Sequence, residues 1–444
     1  MNRLIHLFFK PASAYTLAYY RIGLGLLILI SSVRFLILGW LDMQYIQPIY
    51  HFPYYGFEFL TAPAPPISYI TFSILIASSL CVIVGYRFRV MSVIMFLSFT
   101  YIELWDVAFY LNHYYAVSLF SLILCFLPAH SVASYDIHLG RMKESPLVPF
   151  WTHIIILFQI AVIYVYAGIA KINADWLLSA LPLKIWLPAH SSLPIIGTLL
   201  SLDLTAYVFS WFGMLYDLFI IIFLMNTSTR YYAFVTVVIF HGMTGLLFQI
   251  GVFPVVMIFM ASMFFDSSLH LRIVQKLFTE NIQQQDYSPN VYPRFTLFLL
   301  GCYMVFQLLF PLRHVFYFGN HQWTEQGYRF GWRVMLTEKS GIAQFIITDK
   351  LNGKKGYVNN AEWLSPHQEK QMAFQPDMIL AFAHFLHNEY KKKGVHDPIV
   401  NVDCWVTMNG RPSTRLIDPT IDLTLLQDGL FAKPWISAYP GAFQ

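Results

Sequence analysis

The run 150–170 contains no Asp, Glu, Lys or Arg, and it is followed at once by Lys171, with Asp175 and Trp176 just beyond. A stretch of that length and polarity reads as a bilayer-spanning helix. An ionisable group at membrane depth is costly and persists where it lines a cavity, pairs with another group or does chemistry. An amine in a dry apolar pocket loses basicity and can act as a base at neutral pH. The plain alternative is an amine that snorkels to the interface, with Trp176 as its aromatic anchor. Other groups of the same kind are Glu103 and Asp106, the pair Asn112-His113, and two lone polar residues inside apolar runs, Asp217 and His241.

The elements that must position these residues are membrane helices. The chain of 444 residues is 57% hydrophobic and 12% charged, against roughly 25% charged for a soluble domain. Mean hydropathy is +0.54. A net charge of +4, spread thinly, does not suggest a nucleic-acid partner. Apolar stretches lie near 15–39, 67–86, 89–106, 111–129, 150–171, 204–226, 231–249, 250–266 and 294–312, which implies about nine transmembrane helices. The seventh and eighth are separated by only a few residues around Gly251, so a re-entrant segment stays open for one of that pair. The first apolar run is long enough to stay in the bilayer, so no cleaved leader is expected.

With nine spans and a cytoplasmic N-terminus, the inner loops collect Arg3, Lys10, Arg87, Arg89, Arg141, Lys143, Arg230, Arg272, Lys276 and Arg294. The outer loops between helices hold little beyond Lys171 and Lys184, as the positive-inside rule requires. This puts residues 313–444 on the outer, periplasmic or lumenal side. It also brings Glu103, Asp106, His113 and Lys171 to one level near the outer face, a grouping suited to proton transfer. Asp217 and His241, each midway along its helix, are expected at similar depth as a buried ion pair, more a structural brace than a catalytic one. No metal site is expected, because the four cysteines show no CxxC or zinc spacing and no second histidine shares the depth of His241 for haem.

After Pro311 the pattern becomes alternating and turn-rich. Strands are expected at 328–336, 343–348 and 399–407, hairpin turns at Asn352-Gly353 and Asn409-Gly410, an amphipathic helix over 376–393, and a closing strand from Thr414. The fold class is therefore mainly α. A polytopic helical bundle (1–312) carries the lysine, and a small α+β extramembrane domain (313–444) follows.

Tyr166-Ala-Gly-Ile-Ala-Lys-Ile-Asn-Ala-Asp-Trp176 resembles the signature of the vitamin K-dependent γ-carboxylases and their bacterial relatives, the horizontally transferred transmembrane proteins. The resemblance runs from about Phe9 to Pro434. It takes in Asn112-His113-Tyr114, Phe240-His241, Leu247-Phe248-Gln249-Ile250-Gly251, Gln307-Leu-Leu-Phe-Pro311, Trp323-Thr324, Gly331-Trp332, Asp418-Pro419 and Asp422. It implies an enzyme that oxygenates reduced vitamin K (phylloquinol or menaquinol) with O2 to the epoxide and uses the base so formed to take a γ-proton from a protein glutamate. CO2 then adds to the carbanion. By motif, Lys171 is the base that deprotonates the hydroquinone, His113 supports the carbanion and carboxylation steps, and Asn112 and His241 belong to substrate binding. An incoming glutamate carboxylate needs a cationic partner, for which Arg415 is the candidate. The implied partners are the hydroquinone, a glutamate-containing protein or peptide and the lipid bilayer. The implied setting is a multi-pass protein of the bacterial inner membrane, or of the endoplasmic reticulum in a eukaryote.

The chain also departs from that pattern. Ala170 stands where the animal enzymes carry a second lysine, His51 and His384 replace the family's disulfide cysteines, and Thr244 replaces an asparagine. The chain stops soon after Trp435, where the animal enzymes continue. Two other readings stay open at this point: a hydroquinone epoxidase without carboxylation, and a membrane transporter or lipid-binding protein on the same scaffold. The sequence shows no clear inverted repeat of the kind transport would call for.

Overall fold

The computed structural model describes residues 8–248, 250–278, 294–439 and 441. Ten main helices form the N-terminal part: α1 (Ala14–Ile37), α2 (Pro65–Val84), α3 (Phe88–Glu103), α4 (Asn112–Phe126), α5 (Trp151–Ala170), α6 (Asp203–Met225), α7 (Arg230–Leu247), α8 (Phe253–Ser262), α9 (Ser267–Leu277) and α10 (Arg294–Leu309). Five stretches among the described residues are long and apolar enough to cross a bilayer: α1, α2, α5, α6 and Leu297–Phe316. A sixth is available if α8 and α9, bent by 114° at their junction, count as one broken span.

The expectation of about nine spans is thus reduced to five or six. α3 and α4 occupy two of the expected segments but run to only 16 and 15 residues, short of the roughly 20 that a bilayer requires. The eighth segment, expected as one run over 250–266, is a ten-residue helix that ends before Asp266 and turns sharply into α9. Hydropathy reads through that break because the residues before Asp266 are as apolar as a span. Of the inner-loop cations, Arg3 lies outside the described residues, as does Gln249 of the Leu247–Gly251 motif.

Local chemistry sets the ends of these helices. Pro65 and Pro66 fit the first turn of α2, and Gly85 closes it at φ 72°. A Cβ at Gly85 would lie 2.9 Å from Nη1 of Arg21, which is fully buried and donates to the carbonyls of Ala129 (2.9 Å) and Ala133 (2.5 Å). Gly168 matters more for function. A Cβ there would lie 2.9 Å from the backbone nitrogen of Leu218, so only glycine lets α5 and α6 pack this closely.

The C-terminal domain is a four-stranded antiparallel sheet of order β4-β3-β5-β6, where β3 is Lys339–Thr348, β4 Lys355–Tyr357, β5 Ile399–Met408 and β6 Thr414–Ile417. A two-stranded pairing of β1 (Pro11–Ser13) with β2 (Leu147–Pro149) lies apart from it, at the start of the bundle. Helices α11 (Pro366–Met372) and α12 (Pro376–Lys392) supply apolar side chains to the same core as the sheet. Asn409 (φ 52°) and Gly410 (φ 72°) make the β5–β6 turn, the left-handed pair that a tight hairpin favours. The strand expected at 328–336 is absent. That stretch is a loop in which Phe330, Trp332 and Met335 all take positive φ, and Trp332 stacks on Tyr115 of α4 with centroids 4.9 Å apart. Its alternation of apolar residues reflects packing against the bundle on one side, not a pleat.

The two parts share a core. Phe52, Tyr54, Val107 and Ala108 from bundle loops pack in the same cluster as Phe345, Phe382 and Val402 of the tail.

Candidate functional site

The C-terminal end of α5 opens on a narrow cavity of about 100 Å3. Its walls are Tyr164, Ala167 and Lys171 of α5, Gly213 and Asp217 of α6, His241 and Leu247 of α7, Phe253 and Met257 of α8, Trp176 and Trp186 from the turns after α5, and Val334 and Met335 from the tail loop. Most of these groups are apolar, so the few polar atoms that face inward stand out.

Lys171 does not snorkel. It is 7% exposed, and its Nζ donates to Asp217 Oδ2 at 2.6 Å and to the Ala167 carbonyl at 3.2 Å, with the Trp176 ring centroid 5.5 Å away. A helical side chain leans toward the N-terminus of its own helix, so the amine reaches one turn back along α5. That lean brings it level with Asp217, midway along α6. The expected Asp217–His241 pair is therefore corrected: the carboxylate belongs to Lys171. His241 Nε2 instead meets the hydroxyl of Tyr164 at 2.9 Å, and its Nδ1 has no hydrogen-bond partner among the described residues.

His113, Asp106 and Glu103 sit at the same end of the bundle but do not line this cavity. Asp106 joins bundle to tail. It accepts from Gln368 Nε2 (2.7 Å) and the Ala108 N–H (2.8 Å), and lies 3.1 Å from His51 Nδ1. His113 is buried at the start of α4, beside the cavity wall. Its ring lies 5.8 Å from that of Phe253, which is also 5.8 Å from the ring of His241. Asn112 bridges bundle and tail, accepting from Tyr110 Oη (3.0 Å) and donating to the Arg333 carbonyl (3.1 Å). Arg415 is half-exposed on edge strand β6, paired with Asp403 at 3.1 Å and lying over Trp405, and it does not line the cavity. Thus Lys171 and His241 share one cavity, His113 abuts it, and Asn112 and Arg415 stand outside.

Sequence reasoning missed three contributors. Asp217 has Lys171 rather than His241 as its partner, Tyr164 is not among the residues the sequence singles out, and Gly168 enters only as part of a motif, without its role in the close packing of α5 and α6. The spacing of Gly168 to Lys171, one turn on the same face, is the signal that would have found the last.

The four cysteines are unpaired. At the positions of the family disulfide, His51 contacts Asp106 and His384 Nε2 contacts the Leu426 carbonyl at 2.8 Å. Among the described residues no group of three or more His, Cys, Asp or Glu side chains is arranged to hold a metal.

An ammonium–carboxylate pair carries no net charge, which is what lets it sit in an apolar cavity. It can take one further proton from a weakly acidic hydroxyl lodged there, on the Asp217 carboxylate, which leaves the Lys171 ammonium as the cation beside the anion so made. The Tyr164–His241 couple offers a second polar contact for such a ligand.

No solved structure matches the chain. Residues 9–268 match the family model described as HTTM domain, and residues 292–441 match the one described as vitamin K-dependent gamma-carboxylase, lumenal domain. The two matches follow one another from the first membrane helix to the end of the tail domain, and the chain belongs to the vitamin K-dependent γ-carboxylase family.

Proposed function

We propose that this protein oxidises reduced vitamin K to its epoxide and couples that oxidation to γ-carboxylation of glutamate in a protein substrate. The observation that carries the reading is the Lys171–Asp217 pair, 2.6 Å apart in an apolar cavity within the bundle. A quinol ring is flat, apolar and weakly acidic at its hydroxyls. It suits walls made of Trp176, Trp186 and Phe253, and the unpartnered Nδ1 of His241 gives one ring oxygen a polar contact. Reduced vitamin K with O2 supplies the strong base that the glutamate step requires. The chain's own residues hold the hydroquinone, exclude water and accept its proton on the Lys171–Asp217 pair.

His113, whose ring neighbours Phe253 as that of His241 does, is the candidate for the glutamate step, and the tail domain is the route by which a peptide reaches it from the outer face. In this reading the N-terminus is cytoplasmic and α3, α4 and α7 count with the longer helices as membrane elements. The boundary between bundle and tail falls near residue 312. The hydroquinone half rests on more geometry than the carboxylating half, because His113 and Arg415 lie outside the lysine's cavity. Epoxidation without carboxylation is therefore the second reading.

Incubating the purified protein with vitamin K hydroquinone, labelled CO2 and a short glutamate peptide tests both. Epoxide together with acid-stable label in the peptide supports the coupled reaction, and epoxide without label supports the second reading. Neither product would refute both.

A further inference from the structure

The tail reaches the end of the lysine helix through one hairpin tip. Asp175, four residues beyond Lys171, is 2% exposed. It accepts from Arg411 Nη1 at 2.7 Å, from Arg411 Nη2 at 2.5 Å on its other oxygen, and from Asn409 Nδ2 at 2.7 Å. Asn409 is tied in turn to Glu338 at the start of β3, whose backbone N–H donates to Asn409 Oδ1 at 2.9 Å. The Glu338 carboxylate accepts from Trp186 Nε1 at 2.5 Å. Between Asn409 and Arg411, a Cβ on Gly410 would lie 3.3 Å from Ile185. Asp175 and Trp186 thus mark the two ends of the segment that supplies Trp176, Leu183 and Trp186 to the cavity wall, and both ends are held by the same tip.

A forked guanidinium–carboxylate contact fixes orientation as well as distance. With its carboxylate buried and an amide as third donor, it has few other arrangements open to it. The wall segment itself is short helical turns (Ala174–Leu178, Leu183–Trp186), tied on one side to α6, where Trp176 Nε1 donates to the Ser210 carbonyl at 2.8 Å and Trp211 Nε1 to the Leu177 carbonyl at 3.1 Å. Its other side is held by the hairpin tip, so its placement depends on both grips.

We propose that Asn409 and Arg411, acting on Asp175, form a positioning clamp by which the tail domain sets the place of Lys171 and of the cavity wall over 173–187. None of the three touches a reacting atom. They act through the lysine helix, and the hydroquinone site is in register only while the hairpin tip is docked. This rests on the proposed hydroquinone chemistry for its functional consequence, but the clamp itself can be tested without turnover.

The experiment compares wild type, Arg411→Gln, Arg411→Lys and Asn409→Gly (glycine keeps the turn) as full chains in lipid nanodiscs. Amide hydrogen exchange of 173–187 is measured with β3 and β5 as the internal reference. Hydroquinone epoxidation is measured in parallel, as kcat and KM. For Arg411→Gln we expect exchange in 173–187 to rise by at least about tenfold, the effect of removing a charged partner from the buried Asp175 carboxylate, while β3 and β5 stay protected. Epoxidation kcat should fall about tenfold or more with a smaller change in the hydroquinone KM, since binding walls remain but the base is misplaced. Arg411→Lys should recover part of both, and Asn409→Gly should lie between. Unchanged exchange in 173–187, or an equal rise across the tail sheet, would overturn the clamp. So would exchange that rises while kcat holds. If wild type oxidises no hydroquinone, the proposed function fails, and the exchange comparison still decides whether the clamp exists.

Discussion

Replacing Asp217 with Asn preserves volume and removes one charge from the cavity. It leaves the Lys171 ammonium with the Ala167 carbonyl at 3.2 Å as its remaining protein acceptor besides the new amide oxygen. Both members of the pair are almost fully buried, with side chains 8% exposed. Breaking a buried pair from one side costs about 3–5 kcal/mol, and the neutral hydrogen bond that Asn offers returns about 1, so the expected loss is about 2–4 kcal/mol. Lys171→Met should lose a similar amount by stranding the carboxylate. The double variant Lys171→Met/Asp217→Asn removes both charges, and it should be more stable than either single variant. Unfolding by SDS titration in mixed micelles, read by tryptophan fluorescence, gives the cycle. We expect a coupling of at least 2 kcal/mol, far above the roughly 0.5 kcal/mol scatter of independent sites. Additive losses would show that the pair is not formed, and the account of the cavity would fail with it.

Further outcomes follow from single contacts. Gly168→Ala drives a Cβ to within 2.9 Å of the Leu218 backbone, so it should cost about 1–3 kcal/mol and reduce hydroquinone turnover by separating Lys171 from Asp217; stability and turnover like wild type would contradict the close packing. His321, outside the bundle, is pushed down to about 3 by burial, then by Arg333 and His314, and its Nε2 accepts from Arg333 Nη1 at 2.6 Å. A lowered folded-state value means stability is full above about pH 6.5 and is lost as pH falls toward 3. His321→Gln, which can still accept, should flatten part of that fall in melting temperature between pH 6.5 and 5. Arg415→Ala breaks only an exposed pair with Asp403 and should leave peptide-independent epoxidation unchanged, while a raised KM for a glutamate peptide would place the peptide on the β6 edge.

The membrane class was legible because it depends on composition, and Lys171 could be singled out because it is one charge closing an apolar run. The tail's β5–β6 hairpin was legible because Asn409-Gly410 has few other conformations to adopt. The 376–393 helix was found almost to the residue, at Pro376–Lys392. What could not be read was where side chains lean and where backbones meet. Asp217 was matched to His241 by helix depth alone, since that argument ignores the length of the lysine side chain and its lean down α5. The sharp α8–α9 bend was hidden because hydropathy counts Phe264 and Phe265 as span, although Asp266 starts a new helix. The loop 328–336 alternates like a strand because its apolar side chains face a bundle the sequence does not display.

The central claim is that the Lys171–Asp217 pair accepts the hydroquinone proton, and epoxide formation by Lys171→Ala with and without an added small primary amine tests it most directly. The account predicts that epoxide disappears in a protein that remains folded, and that the amine, entering the space left beside Asp217, restores part of the turnover in proportion to its basicity. Near-wild-type epoxidation by Lys171→Ala would contradict it.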